Sequence, residues 1–297
     1  MKILTTIFLL LAANATWAQH TYEELSDKAF DFYLHKNKFD SALFYYRQID
    51  QLFPDERPVY TNGQIATCYL KLGDTSKAEK YYLRCLSFDK SLDSVGLSQT
   101  RASFALFDIY YARQQFRQAL TYLEYTKTKF KPLRPLCQGT HGGYEQKLTF
   151  AYKKSLCLYG LGEKDSAISA LAPYIFRPVW DVYLDSVEYE TMSRYFVNTV
   201  FELYGKTKAK AHLQDALNQL VYKTHYDEQS GMIFFAADCS IRFLNTTISL
   251  YPGGGCQVDK KGDIPEYYSK ETLLKEFVDS PAYQYIMTDD LITILDR

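Results

Sequence analysis

"GDTSKAEKYYLRCLSFD", residues 73–89, reads as the second half of a helical hairpin. A Gly73-Asp74 turn signal opens it, a small residue (Ala78) follows, and then come the aromatic pair Tyr81-Tyr82 and another small residue, Cys85. The pattern recurs. In "NKFDSALFYYRQIDQLFPDE" (37–56), Ala42 takes the place of Ala78, Tyr45-Tyr46 that of Tyr81-Tyr82, and Pro54 closes the unit. "QQFRQALTYLEYTKTKFKP" (114–132) carries Ala119, and "GEKDSAISALAPYIF" (162–176) carries Ala167. The alanines of these four copies are 36, 41 and 48 residues apart, so the loops absorb the drift. "YGKTKAKAHLQDALNQLVY" (204–222) reads as a degenerate fifth copy, with Ala209 in that position.

Each second helix of copies two to four has a partner upstream. "TNGQIATCYLKLG" (61–73) places Ile65, Ala66, Tyr69 and Leu72 at helical 3-4 spacing. "RASFALFDIYYARQQ" (101–115) and "FAYKKSLCLYGLG" (150–162) do the same before copies three and four. Where two helices of a hairpin cross closely, a side chain larger than alanine would hold them apart. A single such hairpin cannot bury its apolar face alone, so the unit must stack on its neighbours.

These residues resemble the tetratricopeptide repeat (TPR) family. The match is strongest over 59–90, where Ile65, Ala66, Tyr69, Gly73, Ala78, Tyr82 and Cys85 (in an Ala place) fall at the family's spacing. It extends over roughly 22–222 and fades at the fifth copy, and the family's early Trp is absent throughout. The resemblance implies an all-α, right-handed TPR-like solenoid of about five hairpins, with the first helices lining a concave face that binds a protein or peptide. Carried over position by position, that face comprises Asp27, Asp31, Thr67, Lys71, Arg101, Asp108, Tyr111, Tyr152 and Tyr159. Tyrosines among charges suit such recognition, because aromatic anchors carry most of the energy of an interface. For any one of them, packing between helices is an equal alternative.

The chain then divides into a targeting segment at 1–18, helical repeats over 19–222, and a C-terminal region over 223–297. The last is read as a helical cap. Its apolar run "SGMIFFAADCSIRFLNTTISLYP" (230–252) is expected to be a helix ending near Pro252, and "GGGCQVDKKGD" (253–263) a loop. A helix starting after Ser269 and a second after Pro281 complete it.

At the amino terminus, Lys2, the apolar stretch Ile3–Ala13 and the small residues around Thr16-Trp17-Ala18 make a signal peptide the expectation. The mature protein would begin at Gln19 and be exported, to the periplasm or beyond, without a lipid anchor. No other apolar stretch approaches the roughly 20 residues that span a bilayer. The net charge of −1 and the lack of a basic block argue against nucleic acid or a membrane surface as partner. Twenty-seven tyrosines and 19 phenylalanines supply aromatic surface either for helix interfaces or for a groove. Nothing in the sequence sets an oligomeric state.

Six cysteines in an exported chain raise the question of disulfides. Cys68 and Cys85, placed on the two helices of one hairpin, should lie roughly 10 Å apart along the axes, too far for a bridge. With Cys157 they read as small buried fillers. Cys239 to Cys256 is the favoured pair, pinning the Gly-rich loop, and Cys137 to Cys256 its rival. The string "CQGTHGGYE" (137–145) is the most enzyme-like, yet it lacks the order of a phosphate loop and reads as a linker between repeats. The histidines have no metal-ligand spacing, so neither metal nor cofactor is expected. DSA and DSV tripeptides, such as Asp40-Ser41-Ala42 and Asp165-Ser166-Ala167, resemble the O-glycan acceptor sites of Bacteroidetes secreted proteins. The reading is thus an exported, non-catalytic scaffold. A glycan- or peptide-capturing uptake component is the alternative, and an enzyme built on the Gly-rich loops a weaker one.

Overall fold

The computed structural model describes residues 21–92, 97–129, 142–177, 185–250 and 256–288. The expected signal peptide and Cys137 lie outside them. Five helical pairs come first: α1 (Tyr22–Phe30, continued by one π-type turn, Asp31–His35) with α2 (Phe39–Leu52), α3 (Pro58–Lys71) with α4 (Thr75–Ser87), α5 (Leu97–Ala112) with α6 (Phe116–Lys129), α7 (Gly142–Gly160) with α8 (Lys164–Ile175), and α9 (Ser186–Tyr204) with α10 (Lys206–Asn218). Four strands and two further helices follow: β1 (Val221–Gln229), β2 (Met232–Phe243), β3 (Thr246–Ser249), β4 (Cys256–Val258), α11 (Lys270–Val278) and α12 (Pro281–Met287).

The repeat is visible residue by residue. Ala42, Ala78, Ala119, Ala167 and Ala209 are all fully buried. One turn later, Tyr46, Tyr82, Leu123, Leu171 and Leu213 are buried as well, as the i, i+4 geometry of a helix face requires. The turn before each second helix holds one residue in the left-handed region: Asn37 (φ 51°), Gly73 (82°), Gln114 (59°), Gly162 (80°) and Gly205 (77°). A positive φ stops the first helix and lets the second start antiparallel to it. Glycine adopts it without a Cβ clash, which is why it fills three of the five turns.

The chain forms two compact units. Of the described residues, those up to 113 together with 124–129 make one, and 114–123 together with those from 142 to 288 make the other. In the first, the α3–α4 hairpin buries small residues on both helices, Ala66 and Cys68 on α3 and Ala78 and Cys85 on α4, and the Cys85 thiol lies 3.4 Å from the Val59 carbonyl. Asp50 on α2 bridges to Arg84 on α4 at 3.0 Å. From α5, Gln99 donates to the carbonyls of Cys85 (3.2 Å) and Phe88 (3.0 Å), and Tyr110 and Arg113 both donate to Glu79 at 2.6 Å.

In the second unit, one core joins the helices to the C-terminal segment. Phe176, just past α8, packs against Phe196 of α9 (ring centroids 5.5 Å), Phe243 of β2 (5.7 Å) and Phe277 of α11 (4.9 Å). The buried Tyr189 hydroxyl lies 2.7 Å from the carbonyls of Ile175 and Arg177 and accepts the Arg177 N–H at 3.1 Å. This ties the exit of α8 to α9.

The C-terminal region corrects two expectations. The stretch at 230–252 is not a helix, so the cap is not wholly helical: β1, β2 and β3 form an antiparallel meander, and β4 pairs with β2 beside β3. Phe235, Ala237, Cys239, Ile241 and Phe243 alternate inward, a period of two rather than 3.6. The helices after Ser269 and Pro281 are present as α11 and α12, each capped by a serine hydroxyl, Ser269 and Ser280.

The second correction concerns the disulfide. Cys68, Cys85, Cys157, Cys239 and Cys256 are all free thiols. The register sets Cys256 opposite Phe235, four residues from Cys239 on β2. At a rise of ~3.3 Å per residue that is about 13 Å, beyond the reach of a bridge. The rival Cys137–Cys256 pairing lies outside the described residues.

Candidate functional site

Tyr152 and Tyr159 lie on α7, two turns apart and so on one face. The structure brings them together on a third ring that the sequence reading missed, Tyr195 of α9. Tyr152 meets Tyr195 edge to face (centroids 5.5 Å, 82°), and Tyr159 does the same (6.0 Å, 73°). Such edge-to-face pairs place the positive rim of one ring on the negative face of the next. Buried Ser155, between the two on α7, donates to the Ala167 carbonyl at 2.8 Å and lies 3.2 Å from the Tyr195 hydroxyl. The aromatic cluster is thereby fixed to α8.

A charged rim borders it. Tyr159 donates to Glu202 of α9 at 2.8 Å, and Lys164 of α8 donates to the other oxygen at 2.6 Å. The Lys164 ammonium also lies 5.6 Å from the centre of the Tyr159 ring. The hydrogen bonds from Lys164 and then Tyr159 hold the Glu202 carboxyl below its ordinary range, while the bond to Glu202 raises the Tyr159 hydroxyl. On the same pair of helices Tyr204 donates to Asp165, and burial followed by that carboxylate pushes its hydroxyl up to about 12. The site is a tyrosine-lined surface with a carboxylate and an ammonium already aligned. Tyr159 is the ring left partly open, at 37% exposure.

The remaining candidates are distributed differently. Thr67 is turned into its own hairpin, donating to Gly63 at 2.8 Å and lying 3.1 Å from the Tyr82 hydroxyl. Tyr111 is stacked on Phe107 of its own helix at 5.8 Å. Asp31 pairs with Lys36 across the π-type turn at 2.5 Å. Arg101 is exposed on α5 and near enough to Tyr33 to offset part of the upward shift that burial gives that hydroxyl. Asp27, Lys71 and Asp108 are exposed on α1, α3 and α5. Among the described residues, the three pieces brought into one cluster are Tyr152, Tyr159 and the unforeseen Tyr195 with its neighbour Glu202.

A signal for the missed pair was present. Tyr195 and Glu202 are seven residues apart, as Tyr152 and Tyr159 are, on the helix "SVEYETMSRYFVNTVFELY" (186–204). That helix is the first helix of the fifth hairpin, which the sequence reading left without a partner for its second.

Among the described residues, no three His, Cys, Asp or Glu side chains are grouped to hold a metal, and no helix is long and apolar enough to cross a membrane. Burial pushes the Cys68 thiol up to about 12 and those of Cys157 and Cys239 to about 11, the opposite of what a thiolate nucleophile needs.

Comparison with known families agrees with the repeat. Residues 59–92, spanning α3 and α4, match the tetratricopeptide repeat family. That hairpin is similar to one tetratricopeptide repeat, a class of repeats that generally mediate protein–protein interaction and are typically not catalytic. No curated protein matches the chain. Among solved structures, it is similar to the nearly identical TPR-like repeats of a kinesin light chain from Podosopora anserina, at 13% identity and a TM-score of 0.43, over 68% of this chain and 99% of that one.

Proposed function

We propose that the protein is an exported, non-catalytic scaffold that binds a protein or peptide partner on the face lined by the first helices of a right-handed TPR-like solenoid. The observation that carries this is the Tyr152–Tyr195–Tyr159 cluster with its Glu202–Lys164 rim. Tyrosines already locked by ring contacts lose little rotamer freedom on binding, so their apolar area is available to a partner at low entropic cost. The partly exposed Tyr159 ring supplies the anchor, and the Lys164–Glu202 pair offers a donor and an acceptor to a peptide backbone. The amino-terminal 18 residues act as the export signal in this reading, and neither nucleic acid nor a cofactor takes part.

The test places a photo-reactive amino acid at Tyr159 and exposes the protein to envelope extract of its own organism. The expected result is one dominant cross-linked protein, whose purified form then binds the wild type and loses about tenfold or more in affinity for Tyr159→Ala/Glu202→Gln. A partner that binds the double variant as tightly as the wild type removes this site. Glycan in place of protein as the captured species removes the scaffold reading.

A further inference from the structure

Among the described residues, one edge of the β-meander has no strand paired to it. β1 pairs with β2 along its whole length, from Val221 opposite Ser240 to Gln229 opposite Met232. No strand pairs with its other side among the described residues. A nine-residue edge with unpaired backbone groups is a template for another strand unless the protein blunts it. Here there is neither proline nor bulge in β1, and only Lys223 interrupts the edge with a positive charge.

Which backbone groups point outward follows from the turn. Ser230 and Gly231 form a two-residue loop with both φ positive (53° and 79°), the type I′ pattern of a tight hairpin. Such a loop is flanked by a hydrogen-bonded pair, here Gln229 and Met232. The odd-numbered residues of β1 therefore exchange their bonds with β2. Tyr222, Thr224, Tyr226 and Glu228 direct their N–H and C=O groups to the open edge.

We propose that this edge pairs with the β1 strand of a second copy of the chain, antiparallel, about a two-fold axis at His225. Only registers that set even-numbered residues opposite one another use the outward groups. Among these, centring on His225 pairs all nine residues: Thr224 with Tyr226 and Tyr222 with Glu228 as hydrogen-bonded pairs, and Lys223 with Asp227 as the closer non-hydrogen-bonded pair, each occurring twice. Lys223 and Asp227 lie on the exposed face of the sheet, where opposite charges directly across from one another are favourable and like charges are not. A register shifted to Thr224 sets Lys223 against His225, and one shifted to Tyr226 sets it against Gln229. Both lose the charge pairs and shorten the ladder. The strand is self-complementary in charge about its own midpoint, which is what an isologous interface requires and what an unrelated extended peptide would have no reason to match.

Light scattering coupled to size exclusion on the full chain tests this, with each variant first shown to melt like the wild type. The wild type is expected to be a dimer. Lys223→Asp and Asp227→Lys each set like charges opposite one another twice, and each alone is expected to weaken self-association about tenfold or more. Mixed in equal amounts, the two variants set the introduced aspartate of one against the introduced lysine of the other. The native Lys223 and Asp227 that remain then face each other as well, so a heterodimer should return. Thr224→Pro removes an outward N–H and no bond to β2, and should also give a monomer. A wild-type monomer overturns the proposal, as does a dimer indifferent to both reversals. Single reversals that dissociate the dimer without its return on mixing overturn the register.

Discussion

The α3–α4 hairpin and the C-terminal meander each bury one apolar face, yet they solve opposite packing problems. In the hairpin small residues, Ala66, Cys68, Ala78 and Cys85, are buried on both helices beside Ile65 and Tyr82, and the partners are close in sequence. Small residues let two helices approach. In the meander the buried residues are large, and their partners are distant: Phe243 and Phe277 meet on Phe176, with Phe196 closing the cluster. The hairpin is specified by spacing within one segment. The sheet is specified by what the preceding helices leave uncovered.

That contrast is broken most directly by exchanging sizes. Phe243→Ala removes a fully buried ring from the shared core and should cost about 4 kcal/mol, read from guanidinium unfolding followed by circular dichroism. Ala78→Leu adds bulk at the helix crossing and should cost about 2–3 kcal/mol through overpacking. If Ala78→Leu were neutral, the crossing would not be close-packed and the reason given for the recurring alanines would fall. Tyr189→Phe keeps the ring but strands buried carbonyl and N–H groups at the end of α8, for a loss of about 2 kcal/mol. A methyl added at Gly160 would come within 2.5 Å of the Phe116 ring, so Gly160→Ala should cost about 1 kcal/mol as that ring moves.

Two smaller effects sharpen the comparison. Glu190 on α9 accepts from Tyr285 of α12 at 2.7 Å and pairs with Arg194, and these bonds lower its carboxyl from the ordinary 4.5. A lowered folded-state value means that its contribution is complete above about pH 4.5 and is lost as pH falls through the lower value. Glu190→Gln should therefore flatten the acid limb of the stability curve and leave the neutral limb parallel to the wild type. Finally, the sheet should need no covalent staple. Native Cys68, Cys157 and Cys239 should resist alkylation at neutral pH and react on unfolding, and a peptide map under oxidising conditions should contain no Cys239–Cys256 bridge. Finding that bridge would contradict the β2–β4 register.

The repeat was legible because helical hairpins write themselves locally. A left-handed turn residue and a small residue five positions on mark four of the five second helices, and Gly205 with Ala209, four positions on, marks the fifth. The first helix at 186–204 escaped notice since its apolar face carries Tyr189, Met192, Phe196 and Val200 rather than the family's small residues. With it went Tyr195 and Glu202, and so the half of the tyrosine cluster that α9 supplies. Of the individual candidates, Tyr152 and Tyr159 share a site, whereas Thr67 and Tyr111 are engaged within their own hairpin or helix.

The apolar run at 230–252 was misread because short hydrophobic runs do not declare their period. Its alternation and the Ser230-Gly231 turn were the signals for a hairpin, and "GMIFFAA" masks them with consecutive apolar residues. Sequence alone thus determined the second helices of the hairpins and the first helices of copies two to four, since each is marked within its own segment. The sheet, the free state of Cys239 and Cys256, and the meeting of three tyrosines were decided only in the folded molecule. Each depends on which distant surface a segment is laid against, and periodicity along the chain carries no record of that.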